Sequence, residues 1–215
     1  MKEYAEYRAA ARETLVGRWG EVIVMSFIVI GLAVLINVVP SFCVDPTNSW
    51  ALGLSGMGTV FAVLLIGPLE YAMCNVLLAM KRNTLEDTPL ATMFQLFSKD
   101  WSRYVVAMVL ITIIVCIAAF FTLGILGVIL AYAYKMVPYL LRDYPELSAK
   151  EAMKMSREMM KGYKWDLFVL DLTFIGWFIL SMLTFGIGFF WLTPYIYTTE
   201  AHFYDDLKAE VVVEE

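Results

Sequence analysis

One histidine and three cysteines in 215 residues leave little room for metal or redox chemistry. A zinc site needs three or four His, Cys or carboxylate ligands. The lone His202 shares a helical face with Asp205 or Asp206, which supplies two ligands and no third. Glu200, two residues earlier, points to nearly the opposite side. Cys43, Cys74 and Cys116 have no metal spacing and no disulfide framework, and read as small packing residues. The glycine-rich stretches GIG and GLSGMG lack the lysine of a phosphate loop. The serines and threonines within the apolar runs have no general base beside them. No catalytic constellation remains, and neither a metal nor a cofactor is expected. The chain reads as something other than an enzyme.

Charge is scarce as well: 17% of residues are charged and 60% are hydrophobic, with a mean hydropathy of +0.69. Soluble domains carry about 25% charged residues. The apolar residues form unbroken runs, and residues 22–39 contain eighteen in a row without a charge. A helix crossing about 30 Å of hydrocarbon needs about 20 such residues. The net charge of −5 is spread over both signs, which argues against a nucleic-acid partner and leaves membrane lipid as the expected one. No small-residue cleavage site follows the first apolar run, so that run is expected to stay in the protein.

The most informative absence is of lysine and arginine from three short segments. Residues 40–50, the turn at 121–124 and the turn at 184–188 contain neither. Fifteen of the sixteen basic residues fall before residue 19, between 81 and 103, between 142 and 164, or at Lys208; the exception is Lys135. By the positive-inside rule these four basic segments are cytoplasmic. Each apolar block joins two of them and must cross an even number of times. The sequence therefore predicts an all-α, polytopic membrane helix bundle of six spans, at about 21–39, 58–80, 104–121, 125–141, 166–183 and 189–204, with both termini cytoplasmic. The last two spans are short, which leaves five crossings or a re-entrant hairpin open.

The three hairpins repeat within one membrane domain covering 1–215, in units of about 1–80, 81–146 and 147–208 with a polar tail at 209–215. Each unit opens with an amphipathic helix that is followed by a tryptophan, Trp19, Trp101 or Trp165, at the start of the next span. Tyr4, Tyr7, Ala11 and Leu15 form the first apolar stripe, and Leu90, Met93, Phe94 and Phe97 the second. In the third, Ser148 and Glu151 predict a capping box. Ala149, Ala152, Met153, Met159 and Met160 line one face there, and Lys150, Lys154, Arg157 and Lys161 line another. Two readings stand open: an interfacial helix with its basic face on anionic headgroups, or a cytoplasmic helix packed on the hairpins.

The returning helix of each hairpin carries a proline, Pro68, Pro138 or Pro194, followed by tyrosine. Proline frees a backbone carbonyl that neighbours or a wet cavity must satisfy. Glu70, Lys135 and Asp171 lie inside spans, with Glu200 and His202 near the inner end of the last. Intramembrane ionisable residues often mark function. Glu70 and Lys135, close to their prolines, are placed to meet across the bundle. The competing reading is a structural ion pair, or side chains reaching to the interface, and for Asp171 the latter.

The S-x-x-E-A helix at 148–152, the M-M-x-G junction at 159–162, F-I-G-W at 174–177, L-T-x-G-I-G at 183–188 and the P-Y…A-x-F-Y ending resemble domain-of-unknown-function family 975 of bacterial integral membrane proteins. The resemblance implies a bacterial cytoplasmic (inner) membrane protein and brings no activity or site residues. The expectation is a membrane-embedded binding or scaffolding module that contacts lipid or an unidentified protein partner. The alternative is a small transporter or lipid-handling protein with a cavity at the kinked helices.

Overall fold

The computed structural model describes residues 2–37, 60, 62–85 and 87–213. Among them are ten α-helices and no strand. They are α1 (Tyr4–Leu15), α2 (Trp19–Asn37), α3 (Gly67–Lys81), α4 (Pro89–Phe121), α5 (Ile125–Ala133), α6 (Val137–Asp143), α7 (Ala149–Met159), α8 (Lys164–Leu172), α9 (Ile175–Leu183) and α10 (Phe189–Val213). A π-helical turn, Ala62–Ile66, leads into α3. Cys43, the loop at 40–50 and the glycine-rich stretch before the second span lie outside the described residues.

Among the described residues, four helical segments are long and apolar enough to cross a membrane: Trp19–Ile36, Leu64–Lys81, Trp101–Phe121 and Ile125–Asp143. A fifth is available if α8 and α9, bent by 40° at their junction, count as one span. Among the described residues the protein is all-helical, and its helices suit a membrane.

The capping chemistry follows the sequence closely. Ser148 Oγ accepts from the Glu151 amide while the Glu151 carboxylate accepts from the Ser148 amide, the reciprocal box that starts α7. Gly162, at φ +97°, ends the turn after α7, and Gly17, at φ +79°, does the same after α1. That left-handed backbone disfavours any residue with a Cβ. The second unit departs from this layout. No glycine lies between Phe97 and Trp101. The amphipathic stretch and the span therefore run on as one helix of 33 residues, about 50 Å long at 1.5 Å per residue. Trp101 sits within α4 rather than at its start. The stripe there is incompletely covered, with Met93 buried and Phe94 exposed.

Two turns share one geometry. Thr122-Leu123-Gly124-Ile125 and Thr184-Phe185-Gly186-Ile187 each place two successive residues in left-handed backbone, at φ +51° and +93° and at +52° and +88°. In each the threonine hydroxyl accepts the amide four residues on, Leu126 in one and Gly188 in the other, at 3.0 Å. The same T-x-G-I tetrapeptide thus reverses the chain twice.

The returning helices form the interior. Cys74 and Leu78 of α3, Tyr139 and Leu140 of α6, and Ala201, Phe203 and Tyr204 of α10 make one buried cluster. Tyr139 and Tyr204 stack at 5.2 Å. The apolar stripes of α1 and α7 also face protein. Tyr7, Ala11 and Leu15 are buried, with Tyr7 against Phe203. Ala149, Ala152 and Met153 pack with Tyr104, Val137 and Leu141. The basic face of α7 remains exposed, with Lys150, Lys154, Arg157 and Lys161 turned outward.

The prolines act differently from one another. Pro68 follows the π turn, and the carbonyl it would leave free in a regular helix, that of Leu64, accepts from Trp101 Nε1 at 2.9 Å. Pro138 stands at the start of α6 after the break at 134–136, where Ser156 Oγ donates to the Ala133 carbonyl at 2.8 Å. Pro194 lies inside α10 without interrupting it.

Candidate functional site

Three sites emerge, and the first was not anticipated from the sequence. Arg82, just past α3, donates two hydrogen bonds to Asp143 at 2.6 and 2.9 Å and also grips Asp205. Lys81 meets Asp205 at 2.6 Å, while Lys208 and the Tyr204 hydroxyl both reach Asp143. Lys2 adds a bond to Asp206 at 3.1 Å. This network joins the ends of α3, α6 and α10. Burial works against the charge on Asp205, but the hydrogen bonds from Arg82 and Lys81 outweigh it and hold its carboxyl below the ordinary range. Arg142, beside it, donates to the Asn75 carbonyl.

The second site collects the intramembrane candidates. Lys135 Nζ lies 2.8 Å from Asp171 Oδ2 and 2.8 Å from Glu200 Oε1, and the Tyr132 hydroxyl donates to the same Asp171 oxygen. The partner of Lys135 is therefore this carboxylate pair rather than Glu70, and Asp171 is tied inward instead of reaching for an interface. The break at 134–136 carries Lys135 toward α8 and α10, a rotation that helical periodicity alone does not disclose. Glu70 lines a cavity of about 320 Å³ that Lys135, Glu200, Cys74, Pro138 and Tyr197 also line. Glu70 has no ion pair among the described residues. Pro68 and Pro194 do not line this cavity.

His202 lies on the other side of α10, as its spacing from Glu200 predicts, and shares a hydrogen bond of 3.0 Å with Thr14 Oγ1. Asp205 and Asp206 are committed to cations and do not join it. No three His, Cys, Asp or Glu side chains gather as a ligand set among the described residues.

The third site is the basic face of α7. Lys150, Lys154, Arg157 and Lys161, joined by Lys164, line a cleft of about 720 Å³ whose inner wall is Leu110, Tyr134 and Met153. Among the described lining residues Glu158 alone is acidic, and it meets Lys154 only at 3.9 Å with both side chains well exposed. Such a pair contributes little. The cleft keeps most of its positive charge.

The tryptophan anchors divide. Trp101 is bonded to Leu64, Trp19 is half-buried, and Trp165 is exposed beside Phe168 with ring centroids 5.2 Å apart.

No curated protein and no solved structure matches the chain. A family model described as Protein of unknown function (DUF975) matches residues 108–211. That stretch runs from within α4 to within α10 and holds the break at Lys135 and the basic helix α7. The match covers just under half of the chain, and over that stretch the protein is similar to this family of unknown function.

Proposed function

We propose that this chain is a non-enzymatic, membrane-embedded binding module of a bacterial inner membrane that holds anionic lipid headgroups in the cleft under α7. It crosses six times as three hairpins, with both termini cytoplasmic. The observation that carries the reading is the cleft itself: five cations and one carboxylate border on Leu110 and Tyr134 of the apolar helices. A phosphate placed among those cations leaves its acyl chains running along α4. Each lysine or arginine near an anionic surface contributes about 1 kcal/mol.

The six-crossing layout has its own support. The charged ends of α3, α6 and α10 meet in one network, so they share a side. The two T-x-G-I turns lie in the uncharged stretches 104–134 and 172–199. α10 holds buried Thr198, Thr199 and Glu200, which face neighbouring helices and lower its hydropathy without placing polar groups against lipid.

Purified protein should retain phosphatidylglycerol over phosphatidylcholine in native mass spectrometry. Replacing Lys150, Lys154, Arg157 and Lys161 together by Gln should lower that preference about tenfold while leaving the melting midpoint unchanged. Equal retention by the variant overturns the reading.

A second reading, a small transporter, is favoured by the cavity at the Pro138 break. On that reading Glu70→Gln or Lys135→Met abolishes transport while assembly continues.

A further inference from the structure

The cavity beside Lys135 has more carboxyl groups than cations. Glu70 and Glu200 line it, and Asp171 shares the same lysine, so three carboxylates stand against one ammonium. Glu200 is 3% exposed, and two oxygens of this group, Asp171 Oδ1 and Glu200 Oε1, are buried without an aligned hydrogen-bond donor. Glu70 has no hydrogen bond or ion pair among the described residues. One ammonium shared by Asp171 and Glu200, with the half-buried Glu70 unpaired beside them, leaves room for a further positive group.

The rest of the wall indicates what kind. Ile111, Val115, Ala131 and Pro138 are apolar, and Tyr71, Tyr134, Tyr139 and Tyr197 present aromatic surface. A hard metal cation takes six or more oxygen ligands, which this wall does not assemble. An ammonium with a hydrocarbon body suits both features: carboxylates for its charge, and aromatic faces, which attract cations, for its body. The volume, about 320 Å³, is at the lower end for small-molecule pockets.

We propose that this cavity binds a small organic ammonium ion, with Glu70 as its principal counter-charge and Glu200 beside it. The proposal rests on the cavity of the second reading and is independent of the α7 cleft. It adds a ligand class to a site the lipid reading does not use.

The test is calorimetric titration of the detergent-solubilised full chain with benzyltrimethylammonium and with its uncharged carbon isostere, neopentylbenzene. The wild type should bind the cation saturably, and the neutral isostere at least tenfold more weakly. Glu70→Gln should lose at least tenfold in affinity with an unchanged melting midpoint. Val115→Trp, which fills the cavity and leaves every charge in place, should also lose binding. The variant neutralised at Lys150, Lys154, Arg157 and Lys161 should bind the cation as the wild type does, which separates this site from the lipid cleft. Equal binding of the isostere, unchanged affinity in Glu70→Gln, or no saturable binding by the wild type overturns the proposal. A cation that binds without being transported leaves this proposal standing and removes the transporter reading alone.

Discussion

At one end of the bundle Arg82 ties α3 to Asp143 at the end of α6 and to Asp205 on α10, while at the other Phe120, Phe121, Leu123 and Phe185 stand largely exposed. No charged residue occurs near those turns, from 104 to 134 or from 172 to 199. The contrast separates two kinds of cohesion. The charged end is held by directional bonds between helices far apart in sequence, and Tyr7, Phe203 and Tyr204 pack beneath them. The apolar end is held by local turn geometry, with bulky side chains left facing outward. In water such side chains would promote aggregation; in a bilayer they meet hydrocarbon.

The largest expected effect comes from breaking the charged end. Arg82→Met removes the bridging cation and leaves Asp143 and Asp205 short of partners, a loss of about 1.5–3 kcal/mol for this half-buried network. The melting midpoint in detergent should fall sharply, and a shift no larger than that of a surface substitution would refute the network's role. The same network gives a pH dependence. The Asp205 carboxyl is held below its unfolded value of about 3.9, so its contribution is complete above that range and disappears as pH falls through the lower, folded value. Acid melts of Asp205→Asn should lack that component.

Smaller effects follow at the joints between helices. Gly162→Ala forces a Cβ into backbone at φ +97° and should cost about 1–2 kcal/mol, whereas alanine at exposed Gly20, inside α2, should not destabilise. Ser156→Ala removes the hydroxyl that satisfies Ala133 at the break and should cost about 1 kcal/mol, read as the same midpoint shift. At the apolar end Phe185→Asn should lie within about 0.5 kcal/mol of wild type, because asparagine accepts left-handed backbone and the ring it replaces is fully exposed. A large effect there would erase the contrast between the two ends.

What could be read from the sequence was what local chemistry decides. Uncharged runs marked the spans and Ser148 and Glu151 marked the start of α7, while Gly17 and Gly162 stand where two amphipathic helices stop. The second unit has no such glycine, and that difference explains why α4 continues through Trp101. The candidate ionisable residues were identifiable by their cost, but their partners were not. Lys135 chooses Asp171 and Glu200 because the break at 134–136 redirects it, and nothing in the spacing of Pro138 encodes that direction. The Arg82 network was hidden for another reason. Its members are ordinary terminal charges in sequence, and only the convergence of α3, α6 and α10 makes them a group.

Side-selective labelling tests the comparison most directly. Single-cysteine variants at Asn83, Pro145 and Ala209 probe the charged end, and variants at Leu123 and Phe185 probe the apolar turns, each with Cys43, Cys74 and Cys116 replaced by alanine. An impermeant maleimide added to intact spheroplasts should label positions 123 and 185 and spare 83, 145 and 209 until the membrane is opened. Labelling of 83, 145 or 209 from outside, or shared behaviour of both sets, would contradict a bundle with one charged cytoplasmic end and one apolar outer end.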